Sequence, residues 1–340
     1  MSGKLLIPRV AVIGLGLIGC SWIKGLRVRG CLEEVRGYDR NLDSMQLALS
    51  EGLIDAYSEN IADVVRDADL IIISVPIMAV KSVLESVRDH VSESAVLTDV
   101  GSVKGAVASD VAAVLGANFS RFVLGHPIAG SEKSGVMAAN ENLYVHHKVI
   151  ITPQDHTDKE ALALVRRAWQ AVGADLEHMS VDHHDEVLAA TSHLPHLLAY
   201  SLVDTLANSH ENKEIFNYAA GGFRDFTRIA ASSPVMWRDI FAANKDHLLK
   251  TLDLFSHDLS SLRAAVEQGD ATTLMGVLTR AKAARDHFSK ILARRAYVEP
   301  MKTASISYIA NPGKALSGSF RVPGDKSISH RSIMLGSLAN

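Results

Sequence analysis

Only two cysteines, Cys20 and Cys31, occur in 340 residues, and they lie close together, so no disulfide framework holds the chain. That scarcity fits a reducing, cytoplasmic setting. Neither sign of charge prevails: 35 Lys and Arg face 38 Asp and Glu, a formal net charge of −3. Such a balance gives no reason to expect nucleic acid or an anionic membrane as a partner. A long apolar run is missing as well. Leu5 to Ile23, flanked by Lys4, looks like a signal peptide, but Pro8 and Arg9 interrupt it and the remainder is too short to span a bilayer. The sequence has no transmembrane segment, internal repeat or low-complexity tract. Beyond Ser180 the strand-like runs vanish and glycines become few. What remains is 47% hydrophobic and 21% charged residues, length enough for about two domains with sizeable cores.

The most informative stretch is Val10 to Gly19, an apolar strand running into Gly14-x-Gly16-x-x-Gly19 and then a helix. Gly14 permits a tight turn, Gly16 lets the backbone approach a pyrophosphate, and Gly19 lets helix and strand pack closely. Leu17 and Ile18 open the helix, whose free N–H groups and positive dipole end suit a phosphate. A second strand, Val35 to Tyr38, ends at Asp39, where the fingerprint expects a ribose-binding acid. A carboxylate there binds ribose hydroxyls and repels a 2′-phosphate. NAD is therefore the expected cofactor and NADP the less favoured one, with Arg40 softening the choice. Ser74, Val75 and Pro76, at the end of a third apolar strand, complete the expected cofactor-binding set.

Through residue 179, apolar strands alternate with amphipathic helices. Ala68–Pro76, stopped by its proline, Ala95–Val100, Phe122–Leu124, Lys148–Thr152 and Ala174–Glu177 read as further strands, and Met78–His90 and Lys159–Val172 as helices between them. This order predicts an α/β Rossmann-type, doubly wound, mostly parallel sheet, with the loops after Ile13, Asp39, Val75, Val100 and Leu124 on one ligand-binding rim. His184–Asn208, Pro234–Phe255 and Ala271–Arg295 read as long helices. Their apolar stripes, including Leu197, Leu202, Ile240, Leu248 and Leu254, are dense enough to expect burial against a second subunit. The expected domains are 1–179, a dinucleotide-binding domain, and 180–297, an all-α substrate and dimerisation domain. A linker, 298–316, and a last segment, 317–340, follow.

Past the strand ending at Leu124, Gly125-His126-Pro127-Ile128-Ala129-Gly130-Ser131-Glu132-Lys133-Ser134-Gly135 displays a histidine, an acid and a lysine on the expected rim. Histidine titrates near neutrality and suits removal of a hydroxyl proton as hydride leaves the same carbon. This loop, together with Thr98–Lys104, Ser192-His193-Leu194-Pro195-His196 and Gly221–Arg228, resembles prephenate dehydrogenase, a family that includes the cyclohexadienyl and arogenate dehydrogenases. The likeness covers residues 7 to about 295 in order.

By that resemblance His126 is the catalytic proton acceptor, and Ser102 hydrogen-bonds the same region. Ser102 is also expected to cap the helix that follows it. Arg228 binds a substrate carboxylate through its guanidinium fork. It is preferred over Arg224 because the run through Trp237 follows the family pattern. His196 and Trp237 belong to the substrate site, His193 supports the fold or the cofactor side, and Glu132 and Asp225 lie near the entrance. The implied reaction is NAD-dependent oxidative decarboxylation of prephenate to 4-hydroxyphenylpyruvate in tyrosine biosynthesis. Arogenate is the second candidate substrate, tyrosine the candidate feedback inhibitor, and a homodimer the expected assembly. His193 and His196, with His183 and His184 nearby, lack an acid or cysteine at ligand spacing, so no metal is expected.

Two rival readings are a β-hydroxyacid dehydrogenase of similar build and a dinucleotide-sensing module without chemistry. The first expects a helix lysine and asparagine where Ser192–His196 stands. The second leaves the acid–base and anion-binding groups without a purpose. Near the end, Ser319–Ser332 resembles the opening of enolpyruvylshikimate-phosphate synthase, with Lys326, Ser327 and Arg331 at its anion-binding positions. So short a piece is too small to fold as that enzyme, and it reads as the start of a second domain in a bifunctional fusion.

Overall fold

The structure, a computed structural model, describes residues 5–130, 133–208, 217–218 and 220–297, without the side chains of 291–297. Glu132, the expected linker 298–316 and the segment 317–340 with Lys326, Ser327 and Arg331 lie outside the described residues.

The fingerprint stretch folds as strand β1 (Ile7–Ile13) and helix α1 (Leu17–Val28). There follow β2 (Leu32–Tyr38), α2 (Leu42–Ser50), β3 (Ala56–Tyr57), α3 (Ile61–Val65), β4 (Leu70–Ile73), α4 (Val80–Val87), β5 (Val96–Asp99), α5 (Lys104–Val114) and β6 (Phe122–Val123). These strands form one six-stranded parallel sheet in the order β3-β2-β1-β4-β5-β6, the expected doubly wound Rossmann arrangement.

Its central strands are buried on both faces, which explains their unbroken apolar runs. Alternation along each strand divides their side chains. Val10, Val12, Leu70 and Ile72 enter a core with Trp22, Leu26 and Trp169, whereas Ala11, Ile13, Ile71 and Ile73 enter another with Leu84, Val107 and Ile240. Each such Leu or Ile contributes about 1.5–3 kcal/mol by leaving water.

The last strands do not join this sheet, contrary to expectation. β7 (Gly125–Pro127), β8 (Lys148–Ile151) and β9 (Asp175–His178) form a separate three-stranded sheet, antiparallel at β7·β8 and parallel at β8·β9, with α6 (Lys159–Ala171) between the last two. Leu124 alone separates β6 from β7, so a single residue lies between the end of the first sheet and the start of the second. Apolar runs reveal strands but not their partners. His126 accordingly stands on a strand rather than in a loop.

The helical part begins with α7 (Val181–Leu188) and α8 (Leu194–Ala207), joined by a π turn, Ala189–His193, where one continuous helix was expected. Pro195 lacks an N–H and its ring crowds the preceding turn, so the wider turn lets the helix restart with proline at its beginning. Next come α9 (Gly221–Thr227), a 3₁₀ turn Arg228–Ala231, α10 (Pro234–Ala243), α11 (Lys245–Gln268) and α12 (Ala271–Tyr297). A single helix was expected across Asn244. Instead Asn244 leaves the helical conformation, at φ −111 and ψ 34, and its side chain turns inward to polar partners.

The described residues divide into two units between Ala264 and Ala265. The first holds both sheets and displays Leu249, Leu254 and Leu259 to solvent along α11. In the second, α12 exposes Met275, Leu278 and Phe288. Among the described residues no helix is long and apolar enough to cross a membrane.

Candidate active site

A cavity of about 320 Å³ opens at the carboxyl ends of β1, β2 and β4. Gly14, Gly16, Asp39, Arg40, Ser74, Val75 and Pro76 line it, together with Tyr38 and Ile61. Gly14 has φ +95, and a Cβ there would come within 2.2 Å of the Ser74 carbonyl oxygen, so only glycine fits. At Gly16 a Cβ would meet nothing within 4 Å, which leaves open space beside the backbone for a ligand. At Gly19 it would approach the Gly14 carbonyl oxygen to 2.7 Å, the close packing expected of the third glycine. Leu17 and Ile18 form the first turn of α1, which carries no acidic side chain to compete with an anion. The Asp39 carboxylate accepts from Leu15 N and Asn41 N, both at 2.9 Å, which fixes it at the end of β2. These donors, the acid and the glycine cradle fit NAD.

β5 ends beside this rim, and its last residue, Asp99, is fully buried. Its carboxylate accepts from Gly101 N at 2.8 Å, from Gly125 N at 3.2 Å and from the ammonium of Lys104, which also donates to the Gly125 carbonyl at 2.6 Å. Burial lowers the pKa of Lys104 below that of an ordinary lysine, and Asp99 works against the shift. Asp99 and Lys104 thus bracket the residue before His126.

His126 is half-buried. Its Nδ1 lies 2.8 Å from His184 Nε2, and His184 Nδ1 lies 2.7 Å from Asp185 Oδ1. Burial drives the pKa of His126 well below that of an ordinary histidine, and the neighbouring His184, Lys104 and His193 add to the effect. The imidazole is therefore neutral at physiological pH, the state a proton acceptor requires. Ser102 is half-buried two residues before α5. It does not cap that helix. Val103 takes the cap position, and Asp185 accepts from Lys104 N at 2.8 Å and Gly105 N at 2.7 Å, so a carboxylate from α7 fills the expected hydroxyl's place.

From His126 a row of rings leads along the helical part. His193, buried, has its Nδ1 3.1 Å from the Asn244 amide, and burial lowers its pKa to about 4. Trp237, on α10, meets His193 edge to face at 6.2 Å and stacks on His196 at 3.6 Å between centroids. The Trp237 indole N–H is buried with no partner among the described residues. His196 donates from Nδ1 to the Ser192 carbonyl at 2.8 Å, leaving Nε2 as an acceptor. Burial lowers its pKa, the Ser192 hydrogen bond works against the shift, and the positive charge of Arg228 pushes it further down.

The structure thus brings His126, His193, Trp237, His196 and Arg228 together. Asp225 stands apart, exposed and 3.9 Å from Arg224 at the surface. Sequence reasoning gave Asp99 and Lys104 no role although both lie in the Thr98–Lys104 motif, missed Asp185 and Asn244, and weighed His184 only as a metal ligand. The available signal was the string His183-His184-Asp185 at a helix start, of which His184 and Asp185 turn inward.

Comparison with known proteins gives a consistent family. Residues 24–178 match the family described as prephenate dehydrogenase, nucleotide-binding domain, and residues 180–280 match prephenate dehydrogenase, dimerization domain. The chain is 37% identical over 281 residues to the cyclohexadienyl dehydrogenase of Zymomonas mobilis, covering 81% of this chain and 94% of that one. It is 36% identical over 282 residues to the prephenate dehydrogenase of Bacillus subtilis, covering 82% and 75%. Among solved structures it resembles the A. aeolicus prephenate dehydrogenase in complex with hydroxyphenyl propionate and NAD+, at 39% identity and a TM-score of 0.78, over 84% of this chain and 99% of that one. A separate stretch of 33 residues, 10% of the chain, is 67% identical to part of the 3-phosphoshikimate 1-carboxyvinyltransferase of Vesicomyosocius okutanii, 8% of that protein.

Proposed function

The chain belongs to the prephenate dehydrogenase family, and from that premise we infer that it is an NAD-dependent oxidoreductase converting prephenate to 4-hydroxyphenylpyruvate with loss of CO₂. The observation that carries the reading is His126. It is a half-buried, neutral imidazole one strand beyond the carboxyl rim on which the glycine cradle and Asp39 form a dinucleotide site. NAD+ bound in that cradle supplies the hydride acceptor.

His126 takes the ring hydroxyl proton, and Ser102 hydrogen-bonds the same oxygen. As the C–H pair leaves as hydride, the ring carbon becomes a carbonyl. The bond to the ring carboxylate then breaks, its electrons complete the aromatic ring, and the proton returns from His126 to the phenolic oxygen. No proton is lost overall. Arg228 pairs with a substrate carboxylate, and the His196–Trp237 stack forms the wall beside it. His193 supports that wall from beneath, while Glu132 and Asp225 are assigned to the entrance.

Further parts of the proposal rest on the family and the chain's composition. Arogenate is a second substrate, and the dimerization-domain match and the apolar side chains on α11 and α12 support a homodimer. Tyrosine is proposed as a feedback inhibitor because it shares the product's ring. Two unpaired, buried cysteines support a cytoplasmic location. We propose functional domains at 1–179 and 180–297.

The test is NADH formation by purified protein with NAD+ and either prephenate or arogenate, repeated with NADP+. Turnover with prephenate is expected. Binding of NAD+ without turnover of either substrate would return the hydroxyacid-dehydrogenase and sensor readings.

A further inference from the structure

Among the described residues the imidazole of His126 has one hydrogen-bond partner, and it is another histidine. The roles in that contact follow from what lies behind it. Burial works to raise the Asp185 pKa, but hydrogen bonds from His184 and from the Lys104 and Gly105 N–H groups carry it below that of an ordinary carboxyl, so the group is an acceptor only. His184 Nδ1 must then hold the proton of the 2.7 Å bond to Asp185. His184 is fully buried, which lowers its pKa and keeps it neutral despite Asp185, so its Nε2 presents a lone pair. Across the 2.8 Å contact the donor can only be His126 Nδ1–H. The lone pair of His126 is thereby left on Nε2.

From this chain of bonds we propose that His184 is a positioning residue, which locks His126 in the Nδ1–H tautomer so that Nε2 is the atom that takes the substrate's hydroxyl proton. The proposal rests on His126 being the proton acceptor of the reaction above. Two features of the surroundings support it. The ammonium of Lys104, bonded to Asp99 and to the carbonyl of the residue before His126, bears a positive charge that opposes an imidazolium. The Nε2 lone pair of His184 is the acceptor that offsets this as His126 becomes cationic. In addition, the proton returns to the phenolic oxygen, so His126 must hold it at Nε2 rather than pass it inward. Asp185 is engaged by three N–H donors and is better suited to fixing His184 than to receiving a proton.

The pair also joins elements far apart in sequence. His126 is on β7, His184 and Asp185 are on α7, and Asp185 caps α5, next to the turn bearing Ser102. A merely structural role for His184 would be met by any residue that fills its volume. A tautomer-setting role needs an acceptor at the Nε2 position.

The experiment compares His184→Gln, whose side-chain oxygen reaches about where Nε2 stands, with His184→Leu, which fills space without an acceptor. Both are assayed beside the parent protein and His126→Asn with prephenate and NAD+. His184→Leu is expected to lose at least about tenfold in kcat with KM within about twofold, and His184→Gln to recover most of the loss. Equal kcat for the parent and the Leu variant would overturn the proposal, as would equal losses in the two folded variants. A parent protein without turnover would instead sink the functional reading. Nitrogen-15 NMR of histidine-labelled parent protein provides a check free of mutation. The signals lost in His126→Asn should report a protonated Nδ1 and a bare Nε2, and the opposite pattern would refute the assignment.

Discussion

Lys104 and Asp99 form an ion pair in which neither side chain is exposed. The ammonium also donates to the Gly125 carbonyl, so the pair fixes the start of β7 against the end of β5. Two charges removed from water are costly, and leaving one of them without its partner costs more than exchanging the pair for neutral groups. Lys104→Met should therefore destabilise the fold by about 3–5 kcal/mol. Asp99→Asn combined with Lys104→Met should lie closer to the parent than the lysine change alone. Chemical denaturation of the three proteins checks this, and independent, additive losses would show that the pair is not coupled.

The buried histidines predict how stability depends on acid. His193 has a folded-state pKa of about 4, against 6.5 for an unperturbed histidine, so between those values the unfolded chain binds a proton that the folded one refuses. A depressed value means the contribution is complete above pH 6.5 and is lost as pH falls toward 4. The loss approaches about 3 kcal/mol for this residue. His126, His184 and His196 are shifted in the same direction and steepen the decline. Denaturation midpoints measured from pH 8 downward should fall through this window, and His193→Gln should flatten the slope. A slope unchanged by that substitution would mean that His193 titrates normally in the fold.

Asp39 is the residue we propose to decide cofactor choice. Both carboxylate oxygens already accept backbone N–H groups, so its negative charge is held at the rim with lone pairs left for ribose hydroxyls. Asp39→Ala removes charge-assisted hydrogen bonds worth about 1.5–3 kcal/mol, roughly 10–100-fold in NAD affinity. It also removes the repulsion of a 2′-phosphate, so the ratio of NAD to NADP use should shrink, with Arg40 now free to attract that group. Kinetics with both cofactors report the change. An unaltered ratio would take Asp39 out of the discrimination.

The parts that the sequence disclosed are those set by short-range chemistry. Gly14, Gly16, Gly19 and Asp39 follow a spacing forced by one turn and one strand, and the parallel core strands are continuous apolar runs because both faces are covered. His126 and Arg228 were proposed through motifs. What stayed hidden depends on pairing between distant segments. Asp185 meets the Lys104 N–H across 81 positions, and His184 meets His126 across 58. Nothing in either segment names the other. The second sheet was hidden for the same reason, since Lys148–Ile151 looks like any buried strand until β7 folds back on it. The cap expected of Ser102 shows the converse: a local rule was satisfied by a side chain from another element.

Arg228 offers the most direct test of substrate binding. It begins the 3₁₀ turn after α9, exposed to solvent, and its charge reaches His196. A guanidinium beside a ring stack is suited to a carboxylate that enters from solvent, because the fork makes two parallel bonds while the rings bound the apolar side. Charge-assisted bonds of this kind contribute about 1.5–3 kcal/mol. They are made equally in the bound substrate and the transition state, since the carboxylate of the side chain takes no part in the chemistry. Loss of uniform binding raises KM and leaves kcat in place. Arg228→Gln should therefore raise KM for prephenate by roughly 10–100-fold with kcat within a few-fold of the parent. Arg228→Lys, which keeps charge but not the fork, should fall between the two. The control is Arg224→Gln, whose parent side chain lies 3.9 Å from Asp225 at the surface, and which should behave as the parent does. If Arg224→Gln raises KM and Arg228→Gln does not, the carboxylate is held by the neighbouring arginine.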